Sequence, residues 1–281
     1  MKKTILFLIG FGVYFTAFGQ LFFDDFESYT DGDLIANSSP NWTTWGNAPG
    51  GQEDTPISGE QTFSGDLALW FEAPNVGTGG PTDIVLPFGQ KYETGLFTFE
   101  MEMYVPAGRA AYFNFQGEET IGQIWSLQYF LGSDGMVQFR GNGNSALGLD
   151  AIAFPHDQWF NVKVVANLSF NEWEVFVDGN SGGVFSNADN SMASLNIYPT
   201  DAGGGGAPSQ FYVDDVSYDH EEITLLDLDA QLVSLNTKPG ALTGREIPVI
   251  GTIKNVGVNA ITSMEISWTC FSLWKSLLAT S

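Results

Sequence analysis

Glu100 and Glu102 stand two residues apart in Glu100-Met101-Glu102-Met103-Tyr104-Val105, so on an extended chain both carboxylates share one face. A carboxylate pair can work as acid and base, or as acid and nucleophile, on a glycosidic bond. Adjacent like charges on a polar strand face are also what solvation alone produces. Gly179-Asn180-Ser181-Gly182-Gly183 satisfies G-x-S-x-G, the pattern of a nucleophilic serine. That chemistry needs a strand running straight into a helix, and no helical pattern follows Ser181. The segment reads as a Gly-rich loop. His156, in Pro155-His156-Asp157, reads as an exposed turn residue, and His220 as part of a linker. One Cys and two His cannot build a Cys/His zinc site or a disulfide framework.

Composition narrows the choice further. The chain has 281 residues, with 33 acidic side chains against 10 basic and a formal net charge of −23. Such a surface repels phosphate backbones, which excludes nucleic acid as a partner. Aromatics reach 14% while charged residues are only 15%, a mixture that suits a packed core and not disorder. With 33 Gly and 12 Pro, the expectation is a large all-β domain with many turns. Residues 1–19 read as a secretory signal peptide: Lys2 and Lys3, an apolar run from Ile5 to Phe15, and Ala17-Phe18-Gly19 before Gln20. The apolar run is shorter than the ~20 residues a membrane span needs. The expectation is secretion, cell-surface placement included, without membrane insertion after cleavage.

From residue 20 to 222 the positioning elements are strands. Alternation of apolar and polar residues marks Leu67–Glu72, Leu96–Val105, Ala111–Gln116, Ile121–Leu131, Met136–Arg140, Trp159–Ala166, Trp173–Val177 and Phe211–Tyr218. Gly, Asn, Asp and Pro clusters separate them, and Gly203 to Gly206 reads as flexible loop. About ten to twelve strands and no helix predict a two-sheet jelly-roll sandwich.

Asp157-Gln158-Trp159-Phe160-Asn161-Val162-Lys163-Val164, followed by Trp173-Glu174-Val175-Phe176-Val177-Asp178-Gly179, resembles the hairpin of concanavalin A-like and laminin-G-like jelly rolls. Asp25-Phe26-Glu27 and Phe211-Tyr212-Val213-Asp214-Asp215-Val216 resemble the terminal strands of MAM-type domains and related carbohydrate-binding modules. The resemblance implies that first and last strands pair. It also implies a structural calcium ion held by Glu27, Asp214 and Asp215; the same acids read equally as ordinary edge and turn residues. Laminarinase-like glycosidases share the fold and carry E-x-D-x-x-E on one strand. Here the central Asp is missing and position 105 is Val, which points to a non-catalytic domain.

With the apolar sides of the strands packed inward, the opposite sides collect Trp70, Glu100, Glu102, Tyr104, Tyr112, Asn114, Gln116 and Arg140, with Glu72, Gln128 and Gln138. Rings that stack on sugar C–H faces, beside amides and charges that bond hydroxyls, make a glycan-binding face. A second candidate is the apical loops with Trp42, Trp45 and Trp125. Residues 223–281 resemble the opening of a CARDB-like Ig-like unit, with strands expected at Asp229–Leu235, Ile247–Ile253 and Ile261–Trp268. Only a partial unit fits there, as if the end were truncated and further modules followed. Three functions stay open: a carbohydrate-binding or adhesion module for a polysaccharide or cell-surface glycan, a structural β spacer of a larger exported protein, and an atypical polysaccharide-degrading enzyme.

Overall fold

The computed structural model describes residues 20–73, 75, 79–200, 207–236 and 250–265. Residues 1–19, read as a signal peptide in the sequence, the Gly203–Gly206 run, Ile247 to Val249 and residues 266–281 lie outside them. The chain divides into two units, Met1–Ile223 and Thr224–Ser281.

In the first unit the strands are β1 (Phe22–Asp24), β2 (Thr43–Thr44), β3 (Ile57–Ser58), β4 (Ala68–Ala73) and β5 (Ile84–Tyr92). They continue as β6 (Leu96–Tyr104), β7 (Ala111–Gln116), β8 (Trp125–Leu131), β9 (Met136–Arg140) and β10 (Ile152–Ala153). The last are β11 (Trp159–Asn167), β12 (Glu172–Val177), β13 (Asn180–Phe185), β14 (Met192–Ile197) and β15 (Ser209–Glu221). One sheet runs β13-β12-β11-β6-β15-β4-β3, with β1 added on β15. The other runs β10-β9-β8-β7-β14-β5-β2. This is the two-sheet antiparallel jelly-roll sandwich that alternation predicted, and β1 pairs with β15 as the terminal motifs implied.

The inner faces explain why these sequences choose these strands. Phe97, Phe99, Met101 and Met103 of β6 are fully buried, while the residues between them are half-exposed. They meet the other sheet ring to ring: Phe99 lies edge-on to Phe115 at 4.9 Å, and Phe97 lies 5.0 Å from Phe88. Tyr129 is also fully buried, stacked on Phe113 at 4.4 Å, and its hydroxyl has no hydrogen-bond partner. An unpaired buried hydroxyl costs free energy that a phenylalanine avoids. Tyr129→Phe is therefore expected to raise stability by about 1 kcal/mol, read as a higher melting temperature. An unchanged or lower melt would show that the hydroxyl has a partner in solution.

Several expectations are corrected. Among the described residues of the first unit fifteen strands form where about ten to twelve were expected, because short edge strands carry too few residues to alternate. β5 escapes a pattern reading because Pro87 interrupts it. The structure tolerates Pro87 because β2 pairs only with Ile84 and Val85 and has already ended there. Residues read as a Gly-rich loop, from Asn180 onward, are strand β13, with Ser181 Oγ donating to Glu174 Oε1 at 2.6 Å. β15 runs through Asp219, His220 and Glu221, so that segment is strand and not linker. His220 Nε2 lies 2.8 Å from the Thr94 carbonyl oxygen. His156 is half-buried, with Nδ1 3.3 Å from the Val105 carbonyl oxygen, and is not an exposed turn residue.

The second unit, taken by itself, holds β16 (Ala230–Asn236) and β17 (Ile250–Asn255), an antiparallel pair. Ile261 to Glu265, expected to open a third strand, have no strand geometry.

Candidate glycan-binding trough

The outer face of the β10-to-β2 sheet is a trough whose rows follow from strand register. Arg140 on β9 lies opposite Gln128 on β8, which lies opposite Asn114 on β7, which lies opposite Asn196 on β14. At ~4.8 Å between strands, this polar row spans ~14 Å. On one side, Gln138, Phe130 and Tyr112 pair in the next register. Tyr198 continues that row, its N–H donating to the Tyr112 carbonyl at 3.4 Å. On the other side Trp125 stacks on Trp45, centroids 6.1 Å apart and planes 27° apart. The walls are aromatic and the floor is amide. The trough encloses about 680 Å³, within the size range of small-ligand sites.

The floor is held rigid by its own hydrogen bonds. Tyr112 Oη donates to Gln128 Oε1 at 2.8 Å, and Gln128 Nε2 donates to the Gly141 carbonyl at 2.8 Å. Asn114 Nδ2 donates to Asn196 Oδ1 at 2.6 Å, and Asn196 Nδ2 donates to Asp83 Oδ1 at 2.6 Å. Asn114 and Asn196 are buried at 0% and 3% exposure, so their amides position the walls more than they meet a ligand. The groups left to a ligand are the rings of Trp45, Trp125 and Tyr198, with Gln138, Arg140 and Asn144 at the rim. Tyr198 depends on a glycine: a Cβ on Gly79 would fall 2.2 Å from its hydroxyl.

Burial pushes the Asp83 carboxyl up to about 7, with the Glu53 charge adding to it and the Asn196 bond opposing it. Burial also raises Tyr112 well above the usual phenol range, and raises Tyr198, where the Asp83 charge adds to it. Because folding raises the Asp83 value, its contribution to stability is fully present below about pH 4 and is lost as pH rises through about 7. The largest loss that shift implies is about 4 kcal/mol. Wild-type melting temperature is expected to fall between pH 5 and pH 8, with Asp83→Asn flattening the slope. Equal slopes in the two proteins would show that Asp83 ionises normally.

The sequence-predicted site residues divide between two faces. Tyr112, Asn114, Gln116 and Arg140 belong to the trough face, as do Gln128 and Gln138. Trp70, Glu100, Glu102 and Tyr104 lie on the outer face of the opposite sheet. There Trp159, Tyr104, Tyr212 and Trp70 share one register across β11, β6, β15 and β4. Glu100 pairs with Lys163 at 2.6 Å, and Glu102 accepts from Asn161 at 2.9 Å. The eight therefore cannot serve one ligand, since the core separates them. Of the apical tryptophans, Trp45 and Trp125 line the trough. Trp42 is core, 3% exposed, donating to Asp24 Oδ2 at 3.0 Å. Sequence reasoning missed Asp83, Asn196 and Tyr198. The alternation in Met192-Ala193-Ser194-Leu195-Asn196-Ile197 could have found Asn196; nothing local marks Asp83.

Glu27, Asp214 and Asp215 do converge, on the loop from Phe63 to Leu67. Glu27 Oε1 accepts from the N–H groups of Asp66 and Leu67 at 2.9 and 2.8 Å. Asp214 Oδ2 accepts from those of Phe63 and Ser64, and Asp215 Oδ1 from the Ser64 hydroxyl. Burial pushes Asp214 up to about 6 although these N–H bonds pull the other way. Calcium takes 6–8 oxygen ligands, typically; here N–H or O–H donors hold one oxygen of Glu27, one of Asp215 and both of Asp214. Among the described residues no three His, Cys, Asp or Glu side chains group as metal ligands.

No protein-family model matches the sequence. No curated protein matches it either. Similar shapes occur among solved structures. The carbohydrate binding module CBM66 from Bacillus subtilis is 12% identical over 66% of this chain and 99% of that one, with a TM-score of 0.41. The cellulose induced protein Cip1 is 14% identical over 72% of this chain and 98% of that one, with a TM-score of 0.48. A sialidase is 12% identical over 68% of this chain but only 18% of its own, with a TM-score of 0.42. These likenesses of shape are too distant to carry a ligand or a reaction across.

Proposed function

We propose that residues 20–222 form a non-catalytic carbohydrate-binding module that seats a glycan in the trough. The observation that carries the reading is the cross-strand floor Arg140, Gln128, Asn114, Asn196, fixed by internal hydrogen bonds between walls of Trp45–Trp125 and Tyr112–Tyr198. Aromatic walls match the apolar faces of sugar rings, and preorganised polar groups match hydroxyls at low entropic cost. Glu100 and Glu102, the strand-borne carboxylate pair, lie on the other sheet and are engaged there, which supports a binding role over hydrolysis. Affinity electrophoresis of the protein through gels holding different polysaccharides tests the reading. Retardation by a polysaccharide is expected, and uniform mobility of a folded sample across a broad panel would overturn it.

One observation favours an enzymatic alternative. Asp83 lines the trough with its carboxyl near 7, the range of a general acid or base. Release of new chain ends from a retained polysaccharide, abolished by Asp83→Asn, would establish that alternative.

A further inference from the structure

The kind of sugar follows from the charges in the trough, given the glycan reading above. Arg140 closes the β9 end of the polar row. Its guanidinium makes one long hydrogen bond, to Gln138 Oε1 at 3.4 Å, and among the described residues it joins no ion pair. Lys91 and Lys163, in contrast, are paired with carboxylates at 2.6 to 2.8 Å. With 33 acidic side chains against 10 basic, a partner for Arg140 would have been easy to supply. Its trough neighbours Gln128, Phe130, Gln138 and Asn144 are all uncharged. The cation is held ready and left without a counter-charge.

A guanidinium presents a planar fork of donors that fits a carboxylate with two parallel bonds. The one acid of the lining, Asp83, reaches the row from the far end through Asn196. That end is ~14 Å from Arg140 by strand spacing, beyond the screening distance of ~8 Å at physiological salt. Asp83 therefore does not neutralise Arg140. Once ionised, as pH rises through about 7, it disfavours a second negative group at its own end, as does the overall charge of −23. A polymer with an acid on every unit would meet both penalties.

We propose that the trough selects a glycan carrying a single acidic sugar, its carboxylate seated on Arg140 and its neutral units running along the amide row toward Asp83. The test is a glycan array built of matched pairs, each oligosaccharide ending in glucuronic acid or in its carboxyl-reduced glucose counterpart, with a polyuronate alongside. In at least one pair the acidic member is expected to bind ~10-fold tighter or more, the size of a charge-assisted hydrogen bond. Arg140→Gln, checked for an unchanged melting temperature, should erase that preference, so that the two members of the pair bind alike whatever affinity they share. Equal binding within every retained pair, preference for the neutral members, or tightest binding to the polyuronate would overturn the inference while leaving the glycan reading in place. Retention of nothing on the array would overturn that reading itself, and the inference with it.

Discussion

Replacing Trp45 or Trp125 by Ala is expected to weaken retention by the bound polysaccharide about 30-fold. Each ring is half-exposed on one wall of the trough, and the two stack at 6.1 Å, so removing either leaves the other without its support. Tryptophans in this position typically account for about 2 kcal/mol or more of binding, which is ~30-fold in Kd. The control lies on the opposite sheet. Trp70→Ala removes a ring of the same kind from the face carrying Tyr104 and Tyr212, and should leave retention unchanged. If Trp70→Ala abolishes retention while the trough variants keep it, the ligand sits on the other face. The two sets of variants cannot both act on one ligand, because the sandwich core lies between them.

Asp214→Ala should give the largest loss of stability among the acids at the chain ends. Asp214 is 0% exposed and its carboxylate accepts three backbone N–H groups, those of Phe63 and Ser64 at 2.8 and 3.1 Å and that of Asp215 at 2.8 Å. Removing it leaves three part-buried donors without their acceptor, at about 3–5 kcal/mol in all. For a unit of this size that is a fall of about 10 °C in melting temperature. A change under about 2 °C, less than 1 kcal/mol for a unit of this size, would mean that water reaches the donors freely. Chelation separates this clamp from the calcium ion that the terminal motifs implied. With the carboxylates already accepting N–H donors, EDTA is expected to leave the wild-type melt unchanged. A fall with EDTA, restored by calcium and absent in Asp214→Ala, would establish the ion.

Alternation along single strands was legible because burial imposes it residue by residue. In Leu96 to Tyr104 every second side chain is buried, and the sequence displays this directly. The same signal placed Tyr112, Asn114, Gln128, Gln138 and Arg140 on the face turned from the core, where the register puts them, although Tyr112, Asn114 and Gln128 are themselves buried there. The pairing of β1 with β15 was legible from the terminal motifs. A period of two says which side of its own sheet a residue takes, and nothing about which sheet the strand joins. β6 enters one sheet and β7, a few residues later, enters the other, so Tyr104 and Tyr112 end on opposite outer faces. The composition and strand pattern of the chain determined an all-β sandwich with a polar-aromatic exterior. Only the tertiary structure decided the site. Strand order set Arg140, Gln128, Asn114 and Asn196 side by side, and loop packing brought Trp45 onto Trp125 and Asp83 onto Asn196. Those are contacts between segments far apart in sequence, fixed by sheet register and core packing rather than by any local preference of the residues that make them.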